Sequence, residues 1–350
     1  MSSQLTFVSP RLQLAFVGCG GIAQSHWQGL QQHAPRIELT TVIDTNPDQA
    51  RAMADLTGAT PFPSLEAALA AGSFDAVDIM LPHNQHEGAA LRAFAAGKHV
   101  LLEKPMSTTL DSCARILAAA KAAGTVFMVA EQAEYWPDAV AIRQLIRDGA
   151  LGEPITARAL FGGNAPAPLG DTPRPWRYDL AASGGGLTMD GGAHWIRPLR
   201  MWLGEIDEVV AVLGHPVTEM EGESLARALF RFQSGVVAVF DAMSVGFEVG
   251  LREEFRITGS LGEIVVQGGR GGGVLFFDRH TPQGRDLTPD LLPLGKNRGA
   301  AFGLELDDFC HAVLDGRPPA AGPEVSLGEL RTALAMYRSA RTQRWEKVWA

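Results

Sequence analysis

One group in this sequence that could do chemistry is a lysine that lies between a glutamate and a proline. Glu103-Lys104-Pro105 directly follows the apolar stretch 99–102, which predicts a buried strand. Ligands of open parallel sheets bind beyond the carboxyl ends of the strands, so we expect the tripeptide to point into a crevice. There Lys104 could take a proton from a hydroxyl group if burial lowered its pKa from the usual ~10.4. Position alone fits a surface turn equally well.

An aspartate and a histidine four residues apart form a second candidate pair. Asp190 and His194 close a glycine-rich segment that spans 183–194. If this segment is helical, Asp190 lies one turn before His194 and could orient its imidazole or bind a substrate hydroxyl. A histidine titrates near neutral pH, so it can accept a proton from an alcohol without a shifted pKa. The alternative is that Asp190 is a helix N-cap and His194 a hydrogen-bonded core residue.

A glycine-rich turn near the N-terminus could hold phosphates. The apolar stretch 12–17 leads into a GxGxxG/A pattern made of Gly18, Cys19, Gly20, Gly21, Ile22 and Ala23. The first glycine permits a tight turn, the second lets the backbone approach a pyrophosphate, and Ala23 keeps the helix close to the strand. Asp44 ends the next predicted strand, where a carboxylate can bind both adenosine ribose hydroxyls and repels a 2′-phosphate. This predicts NAD rather than NADP, unless Asp44 is only a helix cap before Pro47.

The elements around these residues indicate an α/β fold for the first part of the chain. Apolar strands are predicted at 12–17, 37–43, 76–81, 99–102 and 126–130. Amphipathic helices lie between them, such as 109–123, with Thr108 and Asp111 as a capping pair and Gly124 at its end. This alternation is typical of a doubly wound parallel sheet. We therefore predict a Rossmann domain at residues 1–131.

The sequence pattern of the remaining part, residues 132–323, is typical of strands that pair as hairpins. Two hairpins are predicted, 225–232 with 236–243 and 254–258 with 263–267. Arg227 and Arg231 alternate with apolar residues, so one face of the sheet is apolar and the other partly charged. We predict an α+β domain with a mostly antiparallel, open-faced sheet.

An open face with apolar residues needs a cover, because large apolar patches rarely remain exposed. We therefore expect a homodimer or homotetramer joined through the sheets between Leu225 and Val266. A last helix at about 324–345 is expected to begin with Ser326 and Glu329 as a capping pair. We expect this helix to pack back on the first domain.

Taken together, the motifs resemble those of the glucose–fructose oxidoreductase/inositol dehydrogenase/MocA family. The resemblance rests on the glycine turn 18–23, Asp44, the PHNQH stretch 82–86, the EKP motif 103–105 and a D-x-G-x-H signature at 190–194. It extends from about residue 12 to the last helix. It implies a Rossmann domain, a second domain built on a large open sheet, and a substrate pocket between them. It also implies nicotinamide chemistry on sugars, inositols and related polyols.

The resemblance implies roles for individual residues as well. Lys104, Asp190 and His194 would line the reacting centre as catalytic and substrate-binding residues. Asn84 and His86 would lie near the nicotinamide half of the cofactor, in a cofactor-binding stretch that begins at Pro82. Glu103 would lie near the cofactor ribose.

Three further residues are candidates for the substrate pocket from their positions. Trp176 and Arg177 come just before the glycine-rich segment, and Glu131 comes just after the last Rossmann strand. A tryptophan face packs well on the C–H face of a sugar, and an arginine can bind hydroxyls or a carboxylate. Core packing would explain Trp176 equally well.

Composition excludes several other classes of protein. The formal net charge of −9 argues against a nucleic-acid partner, which would require a basic face. We predict neither a signal peptide nor a membrane helix, which would need about 18 consecutive apolar residues. The three cysteines are an odd number without a CxxC pair, which favours a reducing compartment, the cytoplasm, over disulfides or zinc. We assign no metal.

Three functions fit these observations. The first is net oxidation or reduction of a sugar, cyclitol or related polyol with free NAD. The second is a redox-neutral reaction that uses tightly held NAD transiently, as in glycoside cleavage, elimination or epimerisation. The third is a non-catalytic cofactor sensor, which would have no need of Lys104, Asp190 and His194.

Overall fold

The first part of the chain forms a parallel sheet. The structure, a computed structural model, describes residues 10–164, 174–247, 249–250, 253–268, 272–292 and 298–350. The sheet has six strands, β1 (Leu12–Val17), β2 (Ile37–Ile43), β3 (Thr60–Phe62), β4 (Ala76–Ile79), β5 (His99–Glu103) and β6 (Phe127–Ala130). Their order is β3-β2-β1-β4-β5-β6, and all pairs are parallel. The doubly wound sheet predicted from the sequence is confirmed.

Strand β3 is the one member of this sheet that the sequence pattern does not predict. It has three residues, includes Pro61, and pairs with β2 at the edge of the sheet. A proline removes a backbone donor and is tolerated at a sheet edge. A segment this short at an edge shows little hydrophobic periodicity, so it resembles a loop.

Five helices cover the two faces of the sheet. They are α1 (Gly21–His33), α2 (Pro47–Thr57), α3 (Leu65–Ala71), α4 (His86–Ala95) and α5 (Leu110–Ala123). Gly124 ends α5 in the left-handed conformation, as predicted. The N-cap prediction is wrong by one residue, because Thr109 and not Thr108 accepts the amide of Ser112.

The second part of the chain forms a nine-stranded sheet. Its strands are β7 (Pro154–Asn164), β8 (Ile206–Gly214), β9 (Leu225–Phe232), β10 (Val237–Val245), β11 (Phe255–Gly259), β12 (Gly262–Val266), β13 (Val274–Asp278), β14 (Arg285–Asp286) and β15 (Glu346–Lys347). The order is β14-β13-β12-β11-β7-β10-β9-β8-β15. Strand β10 pairs with β7 in parallel, and the other described pairs of this sheet are antiparallel. A mostly antiparallel sheet is confirmed, and so are both predicted hairpins.

The two faces of this sheet differ as the alternation predicts. In β9, Ala226, Ala228, Phe230 and Phe232 are buried, whereas Arg227, Leu229 and Arg231 are exposed. On the exposed face Arg227 pairs with Asp241, and Arg231 pairs with Glu208. The open face thus combines apolar side chains with paired charges.

The helices of the second part cover its sheet or return to the first part. They are α6 (Pro137–Arg147), α7 (Leu180–Ser183), α8 (Ala193–Leu203), α9 (Thr288–Leu291), α10 (Ala300–Asp315) and α11 (Leu327–Thr342). Helix α10 packs on α1 where two glycines meet. A Cβ atom on Gly303 would lie 2.2 Å from the carbonyl oxygen of Gly29, so this crossing requires residues without side chains.

Helix α11 lies between the two cores. It packs on β8 and α8 and also contacts α5, with Leu330 in the first core and Met336 in the second. The predicted capping pair is wrong. Ser326 and Glu329 instead accept hydrogen bonds from the buried Arg197 guanidinium, at 3.2 and 2.9 Å. Burial of that charge requires such partners.

Candidate active site

A cavity of about 350 Å³ opens where the two parts of the chain meet. It lies at the carboxyl ends of the parallel strands, the usual ligand position in such sheets. Its walls are formed by Gly20, Gly21, Ile22, Met80, Leu81, His83, Glu103, Lys104, Gln132, Trp176, Arg177, Asp190, Gly191 and His194. The sequence motifs 18–23, 103–105 and 190–194 therefore meet at one cleft.

The glycine turn has the geometry of a dinucleotide cradle. Gly18 has a φ of +98°, and a Cβ there would lie 2.4 Å from the carbonyl oxygen of Met80. Around Gly20 and Gly21, by contrast, an added Cβ would have no described atom within 4 Å apart from those of the adjoining residues and of the helix's own backbone. The backbone at the N-terminus of α1 is therefore open to a ligand, while Ala23 is fully buried against the sheet. These residues fit the pyrophosphate of NAD.

Asp44 connects this turn to the end of β2. Its Oδ2 atom accepts the amide of Cys19 at 2.9 Å, and Oδ1 accepts the amide of Asn46 at 2.8 Å. The alternative that Asp44 caps α2 is wrong, because Asn46 accepts the amides of Asp48 and Gln49. Asp44 therefore lies beside the glycine turn, where a ribose would follow the pyrophosphate.

The PHNQH stretch contributes a different histidine from the one expected. Asn84 is exposed, Pro82 is half-buried, and neither lines the cavity. His86 is fully buried, with both ring nitrogens 2.9 Å from backbone carbonyl oxygens, those of Leu81 and Pro105. His83 lines the cavity instead.

Lys104 and Asp190 meet in the cleft, 86 residues apart in the chain. The Nζ atom of Lys104 donates to Oδ1 of Asp190 at 2.5 Å and to its backbone carbonyl at 3.1 Å. Arg177 donates from Nε to the other carboxylate oxygen at 2.6 Å. Asp190 is thus shared by two cations, and both carboxylate oxygens are engaged.

The charges around Asp190 set its ionisation and that of His83. Burial would raise the pKa of Asp190, but the charges of Lys104 and Arg177 hold it well below its usual value. Burial lowers the pKa of His83 to about 3, although Asp190 opposes the shift. His83 is therefore neutral at physiological pH, and its Nδ1 atom lies 2.8 Å from the carbonyl oxygen of Ser183.

His194 is held by Glu131, not by Asp190. Its Nδ1 atom lies 2.6 Å from Oε1 of Glu131, which is buried below the cavity wall. Burial would raise the pKa of Glu131, but His194, Arg197 and Lys104 lower it to about 2. Asp190 precedes α8, whose N-cap is Gly192, so it neither orients His194 nor caps the helix. The expected Asp190–His194 pair is corrected by these contacts.

Trp176 and Arg177 close one side of the cleft. The Arg177 guanidinium lies 4.4 Å from the Trp176 ring centroid, and the Trp176 ring meets the His83 ring edge-on at 4.7 Å. Both side chains line the cavity beside Asp190. An aromatic face and an arginine in these positions can contact a sugar ring and its hydroxyls.

This arrangement provides the groups that alcohol oxidation requires from a protein. Lys104 and His194 present a cationic donor and an imidazole to the same space, and each is oriented by a carboxylate. The glycine turn and Asp44 flank the opposite end, where a dinucleotide fits. When bound there, NAD would accept the hydride that leaves the substrate carbon.

Comparison with known proteins identifies the family. Residues 12–131 match the model of an oxidoreductase family with an NAD-binding Rossmann fold, and residues 139–265 match the GFO/IDH/MocA C-terminal domain. The chain belongs to the GFO/IDH/MocA family of NAD-binding oxidoreductases, and it is an enzyme of that class. The resemblance inferred from the motifs is confirmed.

Individual relatives extend over nearly the whole chain. The inositol 2-dehydrogenase/D-chiro-inositol 3-dehydrogenase of Shouchella clausii is 31% identical over 96% of this chain and 94% of its own length. The 1,5-anhydro-D-fructose reductase of Ensifer adhaerens is 29% identical over 87% and 89%. Among solved structures, the WlbA dehydrogenase of Bordetella pertussis, in complex with NADH and UDP-GlcNAcA, is 26% identical with a TM-score of 0.85. That similarity covers 97% of this chain and 98% of the other.

Several residues of the cleft lie outside the sequence prediction. His83 sits in the same PHNQH stretch as His86, but periodicity does not show which of two nearby histidines faces a ligand. Gln132 begins a short 3₁₀ turn directly after Glu131 and lines the cavity. Its position after β6 is the one signal that could have identified it.

Proposed function

We propose that this enzyme oxidises a CH–OH group of a sugar, cyclitol or related polyol with NAD. The observation that carries the proposal is the convergence of His194, backed by Glu131, and Lys104, backed by Asp190, at one end of a cleft that fits NAD. The Shouchella clausii and Ensifer adhaerens relatives, named for an inositol and an anhydro sugar, support this substrate class. Net reduction in the reverse direction uses the same groups.

In this proposal His194 is the general base. With Nδ1 donating to Glu131, the neutral ring keeps a lone pair on Nε2, which has no hydrogen-bond partner among the described residues. Glu131 then stabilises the imidazolium that forms when Nε2 takes the hydroxyl proton. The pair thus resembles other carboxylate–imidazole bases.

Lys104 has the complementary role of hydrogen-bond donor. Its Nζ atom already donates to the Asp190 carboxylate and to the Asp190 backbone carbonyl, so the side chain lies in the cleft as a hydrogen-bond donor. A positive group beside the reacting oxygen stabilises the negative charge that develops as the proton leaves. Of the two bases that the sequence left open, the contacts favour His194.

The charges of the cleft favour an uncharged substrate over a sugar acid. Lys104 and Arg177 are both paired with Asp190, and Glu103 adds a second carboxylate, so these four groups together carry no net charge. A substrate carboxylate would therefore have to compete with Asp190 for the cations. Asp190→Asn would free both of them, so we expect it to raise the ratio of kcat/KM for a sugar acid over its neutral parent by about tenfold. An unchanged ratio would contradict this assignment.

NAD is the expected cofactor rather than NADP. Asp44 lies beside the glycine turn, where a carboxylate accepts ribose hydroxyls and repels a 2′-phosphate. We expect kcat/KM to favour NAD by at least about tenfold, a gap of about 1.4 kcal/mol. Equal efficiency with NADP would show that Asp44 does not contact the ribose.

Two further aspects belong to the proposal. We propose that the enzyme works as a homodimer or homotetramer through the open sheet face, in the reducing environment of the cytoplasm. The three cysteines are free and buried, which supports such an environment. In the part of the chain that the structure describes, no helix is long and apolar enough to cross a membrane.

The experiment that tests the proposed function is a screen of NAD reduction. Neutral monosaccharides, their sugar acids, and inositols would be compared at matched concentrations by NADH absorbance. We expect turnover with at least one neutral polyol and much lower turnover with the corresponding acid. An enzyme that binds NAD but forms NADH with no polyol would contradict the proposed function.

A further inference from the structure

A buried histidine connects the glycine-turn helix to the carboxylate that precedes Lys104. His26 lies on α1, is fully buried, and has a carboxylate at each ring nitrogen. Its Nδ1 atom is 2.7 Å from Oδ2 of Asp78 on β4, and its Nε2 atom is 3.1 Å from Oε1 of Glu103 on β5. The three side chains join three elements behind the cleft.

The two carboxylates favour a charged imidazolium. Burial opposes the charge, but Asp78 and Glu103 together hold the pKa of His26 well above its usual value. A doubly protonated ring donates from both nitrogens, so each carboxylate receives a charge-assisted hydrogen bond. Glu305 on α10 is also fully buried, and burial raises the pKa of its carboxyl group well above the usual range. Glu305 is therefore neutral and adds no competing anion.

Glu103 is consequently anchored at both carboxylate oxygens. Oε1 faces His26, and Oε2 accepts the backbone amide of Lys104 at 3.0 Å. Glu103 nevertheless lines the cavity together with the glycine turn and Lys104. A carboxylate fixed in this way presents its remaining lone pairs to the cleft in one orientation, without the entropy cost of ordering it on binding.

We propose that His26 and Asp78 are positioning residues that orient Glu103 for the nicotinamide-side half of NAD. The cleft supports the assignment of Glu103 to the nicotinamide side, because the glycine turn and Asp44 lie where the adenosine diphosphate half of NAD would bind. Glu103 adjoins Lys104 at the other end. His26 does not itself line the cavity and acts through Glu103. The inference rests on NAD binding by this family member and not on the identity of the polyol.

The test is a double-mutant cycle on ligand affinity, measured by isothermal titration calorimetry with NAD and with ADP. His26→Leu removes both hydrogen bonds and should weaken NAD binding by about tenfold, while ADP affinity changes by less than about threefold. Glu103→Gln should have a similar effect. The double variant should bind NAD about as well as Glu103→Gln alone, because His26 has nothing left to orient. His33→Leu on the same helix is the matched control and should bind both ligands like the wild type.

Thermal unfolding of each variant separates positioning from general stability. If His26→Leu does not fold, Asp78→Asn removes the carboxylate behind the imidazole while keeping its shape, and should weaken NAD binding selectively. Losses of NAD and ADP affinity in parallel would overturn the inference, as would losses that multiply in the double variant. A wild-type enzyme that binds NAD but oxidises no polyol would leave this inference standing and contradict only the proposed function.

Discussion

The carboxylate of Glu131 and the imidazole of His194 form a hydrogen-bonded pair, with Oε1 and Nδ1 2.6 Å apart, although 63 residues separate them in the chain. Glu131 directly follows β6, and His194 lies in the first turn of α8. The pair therefore forms only when the second domain closes on the carboxyl edge of the first sheet. The orientation of the His194 ring therefore depends on residues from both parts of the chain.

Replacement of Glu131 by glutamine should weaken this base. An amide keeps the shape but cannot stabilise an imidazolium, so we expect kcat to fall by about tenfold to a hundredfold. The pH at which kcat reaches its alkaline plateau should shift as well. The matched control is Glu134→Gln, whose carboxylate pairs with Arg143 and Arg197. It should lower the melting temperature without moving the pH profile. An unshifted pH–rate profile in Glu131→Gln would contradict the role assigned to Glu131 in stabilising the His194 imidazolium.

Lys104→Ala should separate catalysis from folding. Loss of the ammonium removes the donor beside the reacting hydroxyl, so kcat should fall by about a hundredfold or more. NAD affinity and melting temperature should stay near those of the wild type, because Arg177 still pairs with Asp190. Lys121→Ala on α5 is the control with unchanged turnover. Near-wild-type turnover in Lys104→Ala would reduce Lys104 to a structural charge.

His83 should make the fold sensitive to mild acid. The unfolded chain protonates this histidine below about pH 6.5, whereas the folded protein resists protonation down to about pH 3. The unfolded state therefore binds more protons in this window, and stability falls as pH decreases. Between pH 6.5 and 5 the loss is about 2 kcal/mol for this group. His83→Gln should lose correspondingly less stability in urea titrations over that range. An identical pH dependence would place the effect elsewhere.

The open face of the nine-stranded sheet should carry the subunit contact. Val210, Leu229 and Val239 lie directly opposite one another on three neighbouring strands, and Val212 is 68% exposed on the same face. The double variant Leu229→Glu/Val239→Glu places two charges among these apolar side chains. Light scattering of this variant should then give the mass of a monomer. Leu56→Glu, an exposed leucine on α2, is the control that keeps the wild-type mass. A monomeric wild type would contradict the expectation.

Local sequence was sufficient for much of the fold and for part of the site. The glycine turn and Lys104 can be predicted from the sequence, because each directly follows a predicted strand of the parallel sheet. The partners of Lys104 and His194 cannot be predicted in this way. Asp190 lies 86 residues from Lys104 in the chain, and Glu131 lies 63 residues from His194. Asp190 lies near His194 in sequence, and this proximity led to the wrong pair. Which of His83 and His86 faces the cleft depends on a 3₁₀ turn that no periodicity predicts.

The central claim is that a polyol loses a hydride to NAD and a proton to His194, with free NADH as a product. The most direct measurement is the amount of NADH released per molecule of oxidised product, using the best substrate of the screen, for the wild type and for His194→Asn. We predict one NADH per product in the wild type and a turnover lower by about a hundredfold in His194→Asn. Product formation without stoichiometric NADH would contradict the account and indicate a redox-neutral reaction with retained NAD.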